Sequence, residues 1–96
     1  MNFLHTDFQG GASEIVLVTL DHQANVMLLD DSAFSSYRSG GRFTYYGGWA
    51  TASPVQIRPP RFDHWHVVVD LGGMSGQVKA AIRIVRGRVE WTTQRL

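Results

Sequence analysis

Two histidines two positions apart are the residues best suited to metal chemistry in this sequence. His64 and His66 flank Trp65 in a run of β-forming residues. On a β-strand, residues at i and i+2 point to the same face about 7 Å apart, a separation that two imidazoles ligating one ion can span. Asp70 shares that face but lies about 13 Å from His66 along a straight strand, so a third ligand must come from elsewhere. The candidates for that position are His5, His22 and Asp63.

A structural role for the same strand is the main alternative. If Trp65, Val67 and Val69 face the core, then alternation turns His64 and His66 toward solvent or a shallow groove. Cupin enzymes resemble this run in carrying a His-x-His strand, but the nearby glutamate of their motif is missing here, where residues 67–70 read V-V-V-D. The sequence therefore predicts that no metal or other cofactor is bound. If a metal binds, we expect His64 and His66 to be its ligands.

Aromatic and arginine side chains crowd the middle of the chain. Such mixtures can stack on sugars, bases or partner side chains. Strand alternation sends about half of these rings into the core, so a structural role competes with a binding role. If a ligand surface exists, we expect it to comprise Tyr45, Tyr46, Trp49, His64 and His66.

No complete catalytic constellation is visible. The serines lack a nucleophile-elbow setting, and the glycine pairs do not form a phosphate-binding loop. Absence of cysteine excludes disulfides, thiolate metal ligation and cysteine nucleophiles. The adjacent carboxylates Asp30 and Asp31 are typical of a helix cap.

Composition predicts one folded domain over residues 1–96. Hydrophobic residues make up 44% of the 96 residues and charged residues 18%, which is ordinary for a globular domain. A formal net charge of +1 gives no electrostatic footprint for nucleic acid. Because no apolar stretch has membrane-spanning length and the start lacks a secretory pattern, we expect a cytoplasmic protein without membrane contact.

Turn signals at intervals of roughly ten residues predict an all-β fold. We expect a compact antiparallel β-sandwich, jelly-roll-like, of about seven or eight strands, with at most one short helical turn in the segment 30–41. The first two apolar runs, at 14–20 and 25–29, are apolar on both faces, which is typical of covered strands. Three hairpins are predicted: 14–20 with 25–29, 42–46 with 49–52 through Gly47-Gly48, and 64–71 with 77–85.

Prolines and the chain end mark the edges of this predicted sandwich. Pro54 and the pair Pro59-Pro60 bracket residues 55–58, and because proline donates no ladder hydrogen bond, this strand belongs at an edge. A last strand is predicted over 88–92. The segment 86–96 is expected to be either this extra edge strand or a frayed tail.

Several short motifs together resemble a small bacterial family described only as a domain of unknown function. The resemblance covers about residues 1–85 and implies a compact β-sandwich, found alone and sometimes attached to TIR signalling domains. It implies no known catalytic residues. The motifs that carry it are the runs at 2–5 (N-F-L-H), 23–26 (Q-A-N-V), 37–40 (Y-R-S-G), 45–48 (Y-Y-G-G) and 64–73 (H-W-H-V-V-V-D-L-G-G).

Three functional hypotheses follow. The first is a non-catalytic binding or interaction module, whose protein, small-molecule or glycan partner the sequence does not identify. The second is a small metal-dependent enzyme built on His64 and His66. The third is a structural unit that forms homo-oligomers through uncovered strand edges.

Overall fold

The computed structural model describes residues 2–86, and this part of the chain forms seven strands and one helix. In chain order the elements are β1 (Leu4–Gly10), β2 (Glu14–Leu20), β3 (Ala24–Asp30), α1 (Asp31–Ser39), β4 (Tyr46–Ala50), β5 (Val55–Ile57), β6 (Asp63–Asp70) and β7 (Ala80–Arg86).

The strands form two antiparallel sheets that face each other. The first sheet has the order β1-β6-β3-β4, and the second has the order β5-β2-β7. The predicted all-β, sandwich-like architecture is therefore confirmed. The core between the sheets is built from side chains of β2, β3 and β6 that are fully or almost fully buried, namely Val16, Val18, Val26, Leu28, Trp65, Val67 and Val69.

Helix α1 covers the outer face of the first sheet. Met27, Leu29 and Val68 on that face pack with Ala33 and Tyr37 of the helix in a second buried cluster. Strands β3 and β6 are consequently buried on both faces, as the apolar pattern of β3 predicts. The outer face of β2 differs, because Ile15 and Leu17 are only partly buried there.

Capping chemistry sets both ends of α1. The Asp30 carboxylate accepts a hydrogen bond from the Ala33 N–H at 2.8 Å, which satisfies one of the free amides of the first turn. Gly40 ends the helix with a left-handed φ of 82°. In the segment 30–41, where at most one short helical turn was expected, the structure has a single short helix of nine residues.

The three predicted hairpins are wrong. Strand β2 lies in the second sheet and β3 in the first, while β6 lies in the first sheet and β7 in the second, so neither consecutive pair is hydrogen-bonded together. Turn residues reverse the chain equally well within a sheet and between sheets packed about 10 Å apart. The sequence signals located the turns but not the sheet into which each turn leads.

The Gly47-Gly48 pair lies inside a strand instead of forming a turn. Strand β4 runs through it, with Gly47 opposite Met27 and Gly48 opposite Val26. A Cβ at position 47 would lie 2.2 Å from the Val26 carbonyl oxygen, so this position needs glycine for the close approach of two backbones.

The edge positions agree only partly with the sequence analysis. Strand β5 pairs with β2 alone and lies at the edge of its sheet, as the flanking prolines predict. Strand β1 was not predicted, because its polar residues Thr6, Asp7 and Gln9 break the apolar pattern typical of a strand. It nevertheless pairs with β6 along its whole length. The strand predicted over 88–92 lies outside the described residues.

Alanine substitutions at the two neighbouring glycines of β4 should separate backbone strain from steric collision. Both positions have positive φ, 110° at Gly47 and 148° at Gly48, so each alanine should cost about 1–3 kcal/mol in strain. Only Gly47→Ala adds the collision with Val26, whereas a Cβ at Gly48 meets nothing within 4 Å. Urea unfolding should show the larger loss of free energy for Gly47→Ala, and equal losses would contradict this account.

Candidate functional site

The pairing of β1 with β6 gathers titratable side chains beneath the start of α1. Asp7 lies opposite His66 in the register, and His5 lies opposite Val68, so His5, Asp7, His64 and His66 share the helix-covered face. Asp31 joins them from the first turn of α1. We call these five residues the imidazole–carboxylate cluster.

Asp31 is the centre of the cluster. Its Oδ1 accepts a hydrogen bond from His64 Nδ1 at 2.6 Å and another from His66 Nε2, also at 2.6 Å. Asp31, His64 and His66 each offer one ligand atom, and these three atoms lie within 4.8 Å of one another. A single divalent ion can be reached by all three.

We call Asp31, His64 and His66 the trio. Each of its two histidines has a second partner, and both partners lie on β1. Nε2 of His64 donates to Asp7 Oδ2 at 2.7 Å, and Nδ1 of His66 shares a hydrogen bond with Nε2 of His5 at 2.9 Å. The result is one continuous chain of contacts in the order His5, His66, Asp31, His64 and Asp7. Because both nitrogens of His64 face carboxylates, both act as donors and its ring is an imidazolium.

The pKa values follow these contacts. The hydrogen bond to Asp7, and then that to Asp31, raises the pKa of His64 above its ordinary value. The same pairing lowers the pKa of Asp7, and the hydrogen bonds from His66 and His64 lower the pKa of Asp31. Burial lowers the pKa of His5, so this imidazole is neutral at pH 7.

One side of the cluster is packed and the other is open. The Phe34 ring stacks on His5 and on His66, with centroid separations of 4.3 Å in both cases. His66 is 8% exposed, whereas the Asp31 side chain is 66% exposed. Beside them lies an open groove of about 350 Å³, lined by Asp31, Phe34, Ser35, Arg38, Ser39 and His66.

The structure divides the residues that the sequence analysis assigned to a ligand surface. His64 and His66 lie in the cluster. Tyr45 packs beside Phe43. Trp49 lies on β4, at the edge of the same sheet, where it is opposite Asn25 of β3. Tyr46 lies on the opposite face of the sheet, with its ring centroid 5.9 Å from that of Trp65.

The third position beside the two histidines is taken by a residue that sequence analysis did not propose. Asp63 is in an ion pair with Arg61, and Nδ1 of His22 lies 3.1 Å from Oδ1 of Asp21, so neither belongs to the trio. His5 contacts His66 but is not part of it. Asp31 was assigned to a helix cap, a role that Asp30 alone performs. Asp31 directly follows β3, and the pairing of β3 with β6 brings it beside His66. The linear sequence does not show this contact.

This small two-sheet domain with a helix over one sheet can be assigned to a family. The chain matches the family described as domain of unknown function (DUF1883) over residues 1–88 and belongs to it. The resemblance to a family of unknown function is thereby confirmed. Comparisons with curated proteins and with solved structures gave no match. Among the described residues, no helix combines the length and the apolar character needed to cross a bilayer.

The cluster predicts how stability depends on pH in metal-free protein. The pKa of His64 is raised above 6.5, so its stabilising contribution is complete below pH 6.5 and is lost as pH rises through the raised value. The pKa values of Asp7 and Asp31 are lowered below 3.8, so their contributions are present above pH 3.8 and are lost as pH falls through the lowered values. The lowered pKa of His5 acts in the opposite direction, but only below pH 6.5. With EDTA present, the melting temperature should therefore fall as pH rises from 7 to 9.

His64→Gln should flatten this alkaline slope, because it removes the imidazolium. His22→Gln is the matched control, since His22 is exposed and outside the cluster. An unchanged slope in His64→Gln would show that His64 is not the group responsible.

Proposed function

We propose that this domain is a binding module that holds a divalent transition-metal ion on Asp31, His64 and His66. The observation that carries the proposal is the convergence of one ligand atom from each residue within 4.8 Å. Two imidazoles and one carboxylate are a ligand set of zinc and of non-haem iron sites. The sequence alone favoured a module without metal, whereas the position of Asp31 supports this proposal.

The partners behind the histidines support metal binding. A ligating histidine commonly donates its second ring nitrogen to a carboxylate, which fixes the ring and makes it a better ligand. Asp7 stands in that relation to His64 at 2.7 Å. His5 occupies the corresponding place behind His66, and its neutral ring can accept from His66 Nδ1.

Charge balance also fits a cation in this position. In the metal-free protein, protons on His64 Nδ1 and His66 Nε2 point at the same Asp31 oxygen. A divalent ion would replace the Nδ1 proton of the His64 imidazolium, while His66 would ligate through Nε2 with its ring proton on Nδ1, beside His5. The two positive charges of the ion would then compensate the two carboxylates of the cluster. Binding would release protons, so affinity should rise with pH.

Metal titration after EDTA treatment tests the proposal. Calorimetry with ZnCl₂ at pH 7.5 should show one ion per chain for the unaltered protein. His64→Gln and Asp31→Asn should each weaken binding at least about 100-fold, because each removes a ligand. Asp7→Asn should weaken it about 10–100-fold by loosening the His64 ring.

His22→Gln is the matched control and should bind zinc as the unaltered protein does, since its histidine lies outside the trio. Circular dichroism of each variant establishes that the fold is retained. Zinc binding that survives in both His64→Gln and Asp31→Asn would exclude this site.

Metal-assisted hydrolysis is a second candidate function, and the groove beside the ligands favours it. Asp31 and His66 line this groove together with Arg38, whose guanidinium carries the positive charge that an anionic substrate needs. Three protein ligands leave coordination positions for water. Zinc- or manganese-loaded protein should then hydrolyse bis(p-nitrophenyl) phosphate, and Arg38→Gln should raise KM more than it lowers kcat. If loaded and metal-free proteins have the same activity, the domain binds metal without this chemistry.

A further inference from the structure

A second carboxylate, remote from the proposed metal ligands, is buried, and residues 2–86 supply no counter-charge to it. Asp70 ends β6 and is only 4% exposed. Its Oδ2 accepts a hydrogen bond from the Tyr37 hydroxyl at 2.5 Å, and its Oδ1 accepts one from the Gly72 N–H at 2.9 Å. Burial and the Asp70 charge raise the pKa of Tyr37, so the phenol stays protonated and donates.

In the part of the chain that the structure describes, no cationic side chain pairs with this carboxylate. Within residues 2–86, no lysine, arginine or histidine nitrogen lies within 4.0 Å of an Asp70 oxygen. A buried carboxylate is costly unless hydrogen bonds and a positive charge compensate it. Two hydrogen bonds use only part of the acceptor capacity of the two oxygens.

Three aromatic rings line the space beside Asp70. Tyr37 and Phe43 meet edge to face with centroids 5.5 Å apart, and Phe43 and Tyr45 are 5.7 Å apart at an angle of 47°. We call the space bounded by these three rings and Asp70 the aromatic hollow. It has a volume of about 360 Å³, and its other lining residues are Asn25, Met27, Gly40, Gly41 and Gly72.

We propose that the aromatic hollow binds the alkylated ammonium group of a small organic cation. Ring faces carry negative electrostatic potential and attract quaternary ammonium groups, which present methyl groups to the rings and a diffuse positive charge to the carboxylate. Asp70 supplies that carboxylate as one of the lining residues of the hollow. Tyr45, one of the three rings, is 47% exposed, so solvent reaches this part of the lining.

The hollow and the metal site are separate proposals. Asp70 lies four residues beyond His66 on the same strand, and the lining residues of the hollow do not include Asp31, His64 or His66. Ammonium binding should therefore persist in EDTA and in His64→Gln. Loss of either function leaves the other measurable.

Titration with a charged ligand and its neutral isostere tests the inference. Choline should bind saturably and shift the amide resonances of residues 40–45 and 70–72 in heteronuclear NMR spectra. Its neutral isostere 3,3-dimethyl-1-butanol should bind at least tenfold more weakly, because it has the same shape without the charge. Equal affinities would overturn the proposal.

Three variants define the site. Asp70→Asn should weaken choline binding at least tenfold, and Tyr45→Leu should do so independently without disturbing the buried pair with Tyr37. Tyr46→Leu is the matched control, since the neighbouring ring lies on the opposite face of the sheet and should leave choline binding unchanged. If Asp70→Asn fails to fold, comparison of Tyr45→Leu with Tyr46→Leu still decides the question, and equal affinities in these two variants would refute the site.

Tetramethylammonium and Nε-trimethyl-lysine distinguish the source of the cation. Binding of all three ions with similar affinity indicates that the ammonium group alone is recognised. Tighter binding of choline indicates that its hydroxyl is also contacted, and tighter binding of Nε-trimethyl-lysine indicates a ligand with an amino-acid stem. Absence of binding by every cation would refute the proposal.

Discussion

The pairing of β6 between β1 and β3 is the constraint on which the other features of this domain depend. From Trp65 to Asp70 every residue of β6 is buried. One face of the strand fills the core between the sheets, and the other lies beneath α1. Since β-strand side chains alternate strictly, a shift by one residue would move both histidines into the core and Trp65 out of it. The same hydrogen-bond ladder therefore sets the hydrophobic packing and the positions of the polar groups.

The polar groups on this face are tolerated because each has a specific partner. Burial disfavours an isolated charge, whereas short hydrogen bonds between carboxylates and imidazoles offset that cost. At the His66 end of β6, two carboxylates and three imidazoles achieve this among themselves. At the Asp70 end, a phenol and a backbone amide supply only neutral donors. One strand thus presents two electrostatically different environments separated by Val67, Val68 and Val69, which are fully or almost fully buried.

Local sequence patterns predicted the elements better than their partners. Apolar runs located β2, β3 and β6, and prolines placed β5 at an edge, because these signals reflect burial and missing hydrogen-bond donors at the residues themselves. Two predicted hairpins failed since a turn carries no information about which sheet receives the next strand, and the third failed because Gly47-Gly48 lies inside β4. For the site, His64 and His66 were visible from their spacing. Asp7 and Asp31 were not, because they reach the histidines through strand pairing and through the position of α1.

The sequence separations within the imidazole–carboxylate cluster have a consequence for folding. His5 and His66 are 61 positions apart, and His66 and Asp31 are 35 apart. Closing loops of this size and crossing between sheets gives a high contact order, which is typical of slow-folding β-sandwiches. An ion could not assemble these ligands in the unfolded chain as it does in a zinc finger, where ligands are close in sequence. In this domain the strands must pair before the ligands meet. An ion would then bind to a cluster that the completed sheet has already organised.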